Sequence, residues 1–333
     1  MRIALDAMGG DHAPGCVVQG AVAALKLYED VEVVLVGDQQ RIESELPGGA
    51  CPDRFQIVHT TQVIEMGEHP LDSLKQKKDS SIARLVQMGA RGDVDAVISA
   101  GNTGAYVAGC QLRMRTLPGI ARAGTAVTIP SFYGPFVLCD VGANIEPKHH
   151  HLYQYAIMGQ LYAKHIVGLE RQRVGLLSVG EENVKGTSVI KQANELLSND
   201  PDIEFIGNIE GRDLFEGACD VAVCDGFVGN IILKLFEGLS RGIFETVAKE
   251  IVQEDPALKA PFDAVVKKVW KKHDYTEYGG APLLGVRGVA MLCHGSSDAR
   301  ALRSAIRSAR DFVTHKLNDL LADRFSAVGT TSS

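Results

Sequence analysis

The chain has 333 residues and a formal net charge of −7, with 45% hydrophobic and 23% charged residues. That is the composition of a soluble globular protein with one large or two modest domains. The acidic balance speaks against a general nucleic-acid binder, and no run approaches the roughly 18 uncharged apolar residues of a membrane span. Asp6 and Asp11 interrupt the first apolar run, so no secretory leader is expected. The seven cysteines form no C-x-x-C pair and sit mostly in apolar runs, which reads as a reducing, cytoplasmic setting.

The first predicted element is a strand, RIAL (2–5), which ends in the turn DAMGGDHAP (6–14). Further strands are expected at 31–37, 55–59, 94–100, 125–130, 135–140, 173–180, 203–207, 220–226 and 288–293. Several are apolar on both faces, as strands covered by helices must be. Between them, Leu152, Tyr155, Ala156, Gly159 and Tyr162 follow helical spacing, as do Leu302, Ala305, Ile306, Ala309, Phe312 and Val313. The alternation predicts an α/β fold with a largely parallel sheet. GDVDAVISAGNTGA (92–105) and GACDVAVCDGFVGN (217–230) form a faint internal repeat. A single domain is expected over 1–325, with a disordered tail at 326–333.

Ligands of open α/β sheets bind beyond the carboxyl ends of strands. Five such turns are rich in Gly, Asn or Asp: the opening one, SAGNTGA (99–105), DVGANIEPK (140–148), GEENVKGTS (180–188) and DGFVGN (225–230). Gly-rich loops that open helices offer N–H groups and a positive dipole end to anions, so together they point to one phosphate-type site. GEENVKGTS has the parts of a P-loop with Gly and Lys in swapped order. Lys185 is either a phosphate ligand or part of a solvated helix start capped by Thr187 or Ser188. In SLKQKKDSSIARL (73–85), Lys75, Lys77 and Lys78 are either a charged face or a phosphate contact.

Other chemistries lack their motifs. No G-x-G-x-x-G opens a first strand-turn-helix, and there is no G-x-S-x-G or H-E-x-x-H. His149, His150 and His151 are adjacent and point apart on a helix, so they read as a surface run, and no metal or cofactor is expected. His12 is either a functional group of the opening turn or a structural histidine.

ALDAMGGDHAP, SAGNTGA, DVGAN, NIEGRD (208–213), DGFVGN followed by Lys234, and YGGAPLLGV (278–286) resemble the bacterial phosphate acyltransferases of phospholipid synthesis. The likeness runs from residue 3 to about residue 315 in family order. It implies transfer of a long-chain fatty acyl group from acyl carrier protein to inorganic phosphate, giving an acyl phosphate for a membrane glycerol-3-phosphate acyltransferase. It also implies a three-layer α/β/α fold like isocitrate and isopropylmalate dehydrogenases, with two intertwined pseudo-twofold halves, and a homodimer.

Such a reaction needs no Ser or Cys nucleophile, because phosphate attacks the thioester itself. Positioning and stabilisation of the oxyanion remain for the protein. Lys185 and Asn230 are the expected polar centre, with His12 as an acid–base helper. Gly9, Gly10, Asn102, Thr103, Gly104, Asn144 and Gly229 would form the phosphate cradle. Asp6, Asp11 and Asp225 would orient donors, since like charges repel.

An acidic carrier protein needs a basic patch. Lys267, Lys268, Lys271 and Lys272 offer one beside Trp270; Arg113, Arg115 and Arg122 offer another. Either is equally a solvated face. Residues 230–270 read as dimer or core helices, and Leu258 and Phe262 near lysines suit contact with the inner face of the plasma membrane. The rival readings are a CoA-dependent phosphate acetyl- or butyryltransferase of similar fold and a non-enzymatic lipid-synthesis scaffold.

Overall fold

Short apolar runs become strands because both of their faces can be covered. In a computed structural model, which describes residues 1–49, 52–254, 261–262, 265–266 and 278–331, eleven strands form one sheet. They are β1 (Arg2–Asp6), β2 (Glu32–Gly37), β3 (Phe55–His59), β4 (Ala96–Ser99), β5 (Gly124–Ser131) and β6 (Gly134–Cys139). Then follow β7 (Val174–Leu177), β8 (Phe205–Ile209), β9 (Val221–Val223), β10 (Ala281–Leu284) and β11 (Val289–Leu292). The described α-helices are α1 (Gly15–Leu27), α2 (Gln39–Ser44), α3 (Pro70–Gln76), α4 (Ser81–Arg91) and α5 (Thr103–Gly109). The later ones are α6 (His149–Tyr162), α7 (Ser188–Ser198), α8 (Gly226–Glu254), α9 (Ala299–Thr314) and α10 (Leu317–Thr331).

Alternate residues of each strand feed opposite cores. Ile3 and Leu5 pack under α1 and α9, in a core that continues beneath α6, α7 and α10. Ala4 faces the other side, where α4 and α5 cover one cluster and α8 begins over another. This is a three-layer α/β/α sandwich.

The strand order is β3-β2-β1-β4-β11-β10-β5-β6-β9-β7-β8. Neighbours pair in parallel on both flanks, as expected, but β10 with β11, β10 with β5, and β5 with β6 are antiparallel. The run β2-β1-β4-β11-β10 is therefore mirrored by β8-β7-β9-β6-β5, and the two halves run in opposite senses. The faint repeat lies at equivalent places. Asp95 accepts from the Arg2 N–H at 2.7 Å before β4, and Asp220 accepts from the Arg173 N–H at 2.8 Å before β9. Arg2 and Arg173 donate onward to the carbonyls of Asp93 and Gly217.

Two expectations are corrected. β10 was not foreseen, because a four-residue segment containing Pro282 fails the strand pattern. The tail expected from 326 begins inside α10, which runs to Thr331. Leu317, Leu321 and Phe325 anchor that helix in the core, and its later turns propagate from there.

Candidate active site

The five glycine-rich turns do not meet at one sheet edge. Those after β1 and β4 lie at the carboxyl end of the first half, beside the turn after β11. Those after β6, β7 and β9 lie at the carboxyl end of the second, which points the other way.

At the first end, the Asp6 carboxylate is 2% exposed and accepts from the Met8 N–H at 3.1 Å and the Ser99 hydroxyl at 2.8 Å. Burial pushes its pKa up, and these donors pull the other way. A Cβ on Gly9 would stand 2.5 Å from both Asp6 Oδ2 and Gly101 N. Gly9 therefore lets two loops pack together. Gly10 has φ +106°, and Asp11 N–H donates to the Gly295 carbonyl at 2.7 Å. Asn102 is spent within the fold. Its Oδ1 caps α5 through the Ala105 N–H at 2.9 Å, and its amide donates to the carbonyls of Glu65, Met66 and Glu68. Its side chain therefore keeps no amide hydrogen for a phosphate, which leaves its backbone as the part that could serve the expected cradle. Asp11, His12, Thr103 and Gly104 are exposed. Lys77 is paired with Glu68, and Ser80 caps α4 through the Ala83 N–H at 3.3 Å.

At the second end, the organising residue is Asp140, which the sequence reading passed over. It is fully buried, and one oxygen accepts from Thr125, Gly142 and Ala143 N–H at 2.9, 3.2 and 3.0 Å. The other accepts from Asn144 N–H at 2.7 Å. Burial raises its pKa, but four N–H groups aimed at both oxygens call for a carboxylate. An acid at a strand end with Gly two residues on, where Asp6 has Gly three residues on, was the available signal.

Around that anchor, the Asn144 amide donates to the Ala123 carbonyl at 2.6 Å and to the Tyr155 hydroxyl at 2.7 Å. Asp225 Oδ1 caps α8 through the Val228 N–H at 2.8 Å. A Cβ on Gly229 would stand 1.9 Å from the Asp140 carbonyl oxygen, so only glycine brings α8 this close. A Cβ on Gly142 would lie 3.9 Å from that of Asn230, which sets Asn230 over the loop. Lys185 is exposed on the neighbouring loop, whose Thr187 caps α7 through the Ile190 N–H at 3.3 Å. Beneath this loop the Ser178 hydroxyl is buried with no hydrogen-bond partner in the structure.

Lys185, Asn230, Asn144, Asp225 and Gly229 thus share one end; Asp6, Gly9, Gly10, Asp11, His12, Asn102, Thr103 and Gly104 share the other. The second end joins a cation, the Asn230 amide and glycine-rich backbone, a set suited to an oxyanion or phosphate, whereas the Asn144 amide is spent within the fold. Burial pushes the Cys219 and Cys293 thiols up to about 12 and raises those of Cys110, Cys139 and Cys224, so these five offer no thiolate nucleophile at neutral pH. Of the histidine run, His151 is buried rather than on the surface, and its Nδ1 accepts from the Lys148 N–H at 3.0 Å. Lys267, Lys268, Lys271, Lys272 and Leu258 lie outside the described residues; Phe262 is half-buried.

A family model described as "Fatty acid synthesis protein" matches residues 1–320. A phosphate acyltransferase of Pelotomaculum thermopropionicum is 46% identical over 327 residues, covering 95% of this chain and 93% of its own. Among solved structures, a phosphotransacetylase from Streptococcus pyogenes superposes with a TM-score of 0.62 at 18% identity, covering 94% of each chain. A 4-hydroxythreonine-4-phosphate dehydrogenase from Klebsiella pneumoniae gives 0.53 at 14% identity, over 94% of this chain and 99% of its own. At these identities the two structures speak for the fold.

Proposed function

The chain belongs to the fatty acid synthesis protein family and has a phosphate acyltransferase as a relative at 46% identity, and we propose that it moves a long-chain acyl group from acyl carrier protein onto inorganic phosphate. The product is an acyl phosphate for phospholipid synthesis, consumed by a membrane glycerol-3-phosphate acyltransferase. The observation that carries the reading is the loop cluster around Asp140. It sets Asn230 over a loop pinned by Asp140, beside the loop that carries Lys185, while the buried cysteines next to it are held as thiols.

Phosphate carries charge near neutral pH and attacks the thioester carbonyl directly. The carbon–sulfur bond breaks, and the thiol leaves with a proton. Lys185 neutralises charge on the phosphate and on the developing oxyanion. Asn230 donates to the carbonyl oxygen. Asp140 and Asp225 hold the loops without meeting the anion. His12, Asp11, Thr103 and Gly104, at the opposite end of the sheet, have no direct part in this step.

Release of free thiol from palmitoyl-acyl carrier protein tests the reading. It should require phosphate, yield acyl phosphate, and fall about a hundredfold in a folded Lys185→Ala variant. Thiol release that ignores phosphate, or a preference for acetyl-CoA, would overturn it.

Two further properties belong to the same reading. A homodimer is supported by α8, where Phe227, Ile231, Leu235, Leu239, Ile243 and Val247 are all more than 40% exposed. Contact with the inner membrane face rests on the sequence near Leu258 and Phe262. No helix of the described residues is long and apolar enough to cross a membrane. Flotation with anionic vesicles checks the contact; equal flotation of a Leu258→Lys/Phe262→Lys variant would end it.

A further inference from the structure

The row of loops after β6, β9 and β7 continues across the sheet centre to the starts of β11 and β4. There a cavity of about 650 Å³ opens between the end of α4, the segment after α5 and the β10–β11 turn. Arg91, Arg113, Arg115 and Arg287 line it, with one carboxylate, Asp95. Asp95 is already engaged by the Arg2 N–H. None of the four arginines has an ion-pair partner among the described residues. Arg113 donates to the Ala83 carbonyl at 3.3 Å and Arg287 Nε to the Thr116 carbonyl at 3.2 Å, which fixes these guanidinium groups without neutralising them.

Arg115 carries a second, independent sign. After a π-turn at Cys110–Met114 it has φ 62° and ψ 173°. Glycine enters that region freely and other residues enter it under strain, which proteins tolerate chiefly at functional sites. The conformation is held by Arg115 N–H to the Cys110 carbonyl at 3.2 Å and by Arg287 N–H to the Arg115 carbonyl at 3.0 Å. A glycine would suit this backbone, yet the chain keeps a guanidinium at the cavity.

We propose that this cavity binds the phosphate ester on the arm of the acyl-thioester donor. The inference rests on the thioester reading above. Unpaired guanidinium forks match phosphate oxygens. The volume is that of a small-molecule site, which suits the arm rather than a protein face. From β11 to β6 is three strand spacings, roughly 14 Å at about 4.8 Å each. A phosphate held here leaves an extended arm to carry its sulfur along the sheet edge towards Asn230 and Lys185. Carrier protein and coenzyme A both present a phosphopantetheine arm, so the cavity reads what they share.

Calorimetric titrations with 4′-phosphopantetheine, unphosphorylated pantetheine and inorganic phosphate test it. The unaltered protein should bind phosphopantetheine at least about tenfold more tightly than pantetheine. Arg115→Gly and the pair Arg113→Ala/Arg287→Ala should abolish that advantage and raise KM for the acyl donor, leaving KM for phosphate unchanged. Arg115→Gly should keep or raise the thermal midpoint, which separates lost binding from lost folding. Unchanged phosphopantetheine affinity would overturn the proposal. So would an effect on inorganic phosphate alone, which would make the cavity the seat of the attacking anion. So would an effect confined to intact carrier protein. If the thioester reading itself fails, the unaltered protein releases no thiol in response to phosphate, and the titrations still decide the cavity.

Discussion

In each half an acid at a strand end ties its own loop to another strand, Asp6 through the Met8 N–H and the Ser99 hydroxyl of β4, Asp140 through three N–H groups of its loop and the Thr125 N–H of β5. An acid so used fixes the backbone that leaves its strand. The arrangement makes Asp140→Asn a severe change. Its carbonyl can still serve Thr125, Gly142 and Ala143, but the new amide faces the Asn144 N–H, donor against donor. A buried mismatch of this kind costs about 1–3 kcal/mol. The urea midpoint should fall accordingly, and acyl transfer should fall with it as Asn144 and Gly142 shift. A midpoint equal to that of the unaltered protein would show that the four bonds do not hold this loop.

At the scale of the element, α6 starts on a neutral histidine. His151 is 9% exposed and accepts the Lys148 N–H. Burial, followed by the neighbouring positive charges, lowers its pKa from 6.5 to about 4. The unfolded chain takes up a proton near 6.5, which the folded chain refuses until about 4. This histidine's contribution is therefore complete above pH 6.5 and is lost as pH falls towards 4. Asparagine at 151 can accept the same N–H and does not titrate. The thermal midpoint of His151→Asn should decline less steeply over that interval; parallel declines would exclude the effect.

Elements also mark what the sequence could convey. Runs such as Val33–Val36 were legible as strands because burial on both faces leaves an unbroken apolar string. The turns around Gly9, Gly142 and Gly229 were legible as special because glycine at close backbone approaches leaves a local trace. Their division into two ends was not. Strand direction is set by the antiparallel pairings of β10 and β5 at the sheet centre, and nothing within a turn records it. The arginine cavity was half visible: Arg113 and Arg115 stood out as a basic patch, whereas Arg91 and Arg287 join them only through folding.

For the whole molecule, the question is what covers α8. From Phe227 to Val247 its exposed large apolar residues recur every fourth position. With 3.6 residues per turn such a row advances by about 40° per step, so it winds around the helix. Rows of this type interlock when two helices cross at about −50°. Gly238 and Gly242 stand one residue before Leu239 and Ile243, alongside the row, and a Cβ on either would meet nothing within 4 Å among the described residues. Each glycine weakens the helix by about 1 kcal/mol relative to alanine, with no contact among the described residues to offset it. A close crossing with the same helix of a second copy would account for both the row and the glycines, as a twofold dimer would provide. Leu239 is 57% exposed in the single chain, so glutamate there leaves the subunit fold intact and puts a charge at the crossing. Light scattering should report two chains for the unaltered protein and one for Leu239→Glu, with unchanged circular dichroism. A single-chain mass for the unaltered protein, or an undiminished dimer in both Leu239→Glu and Leu235→Glu, would leave this surface to another partner.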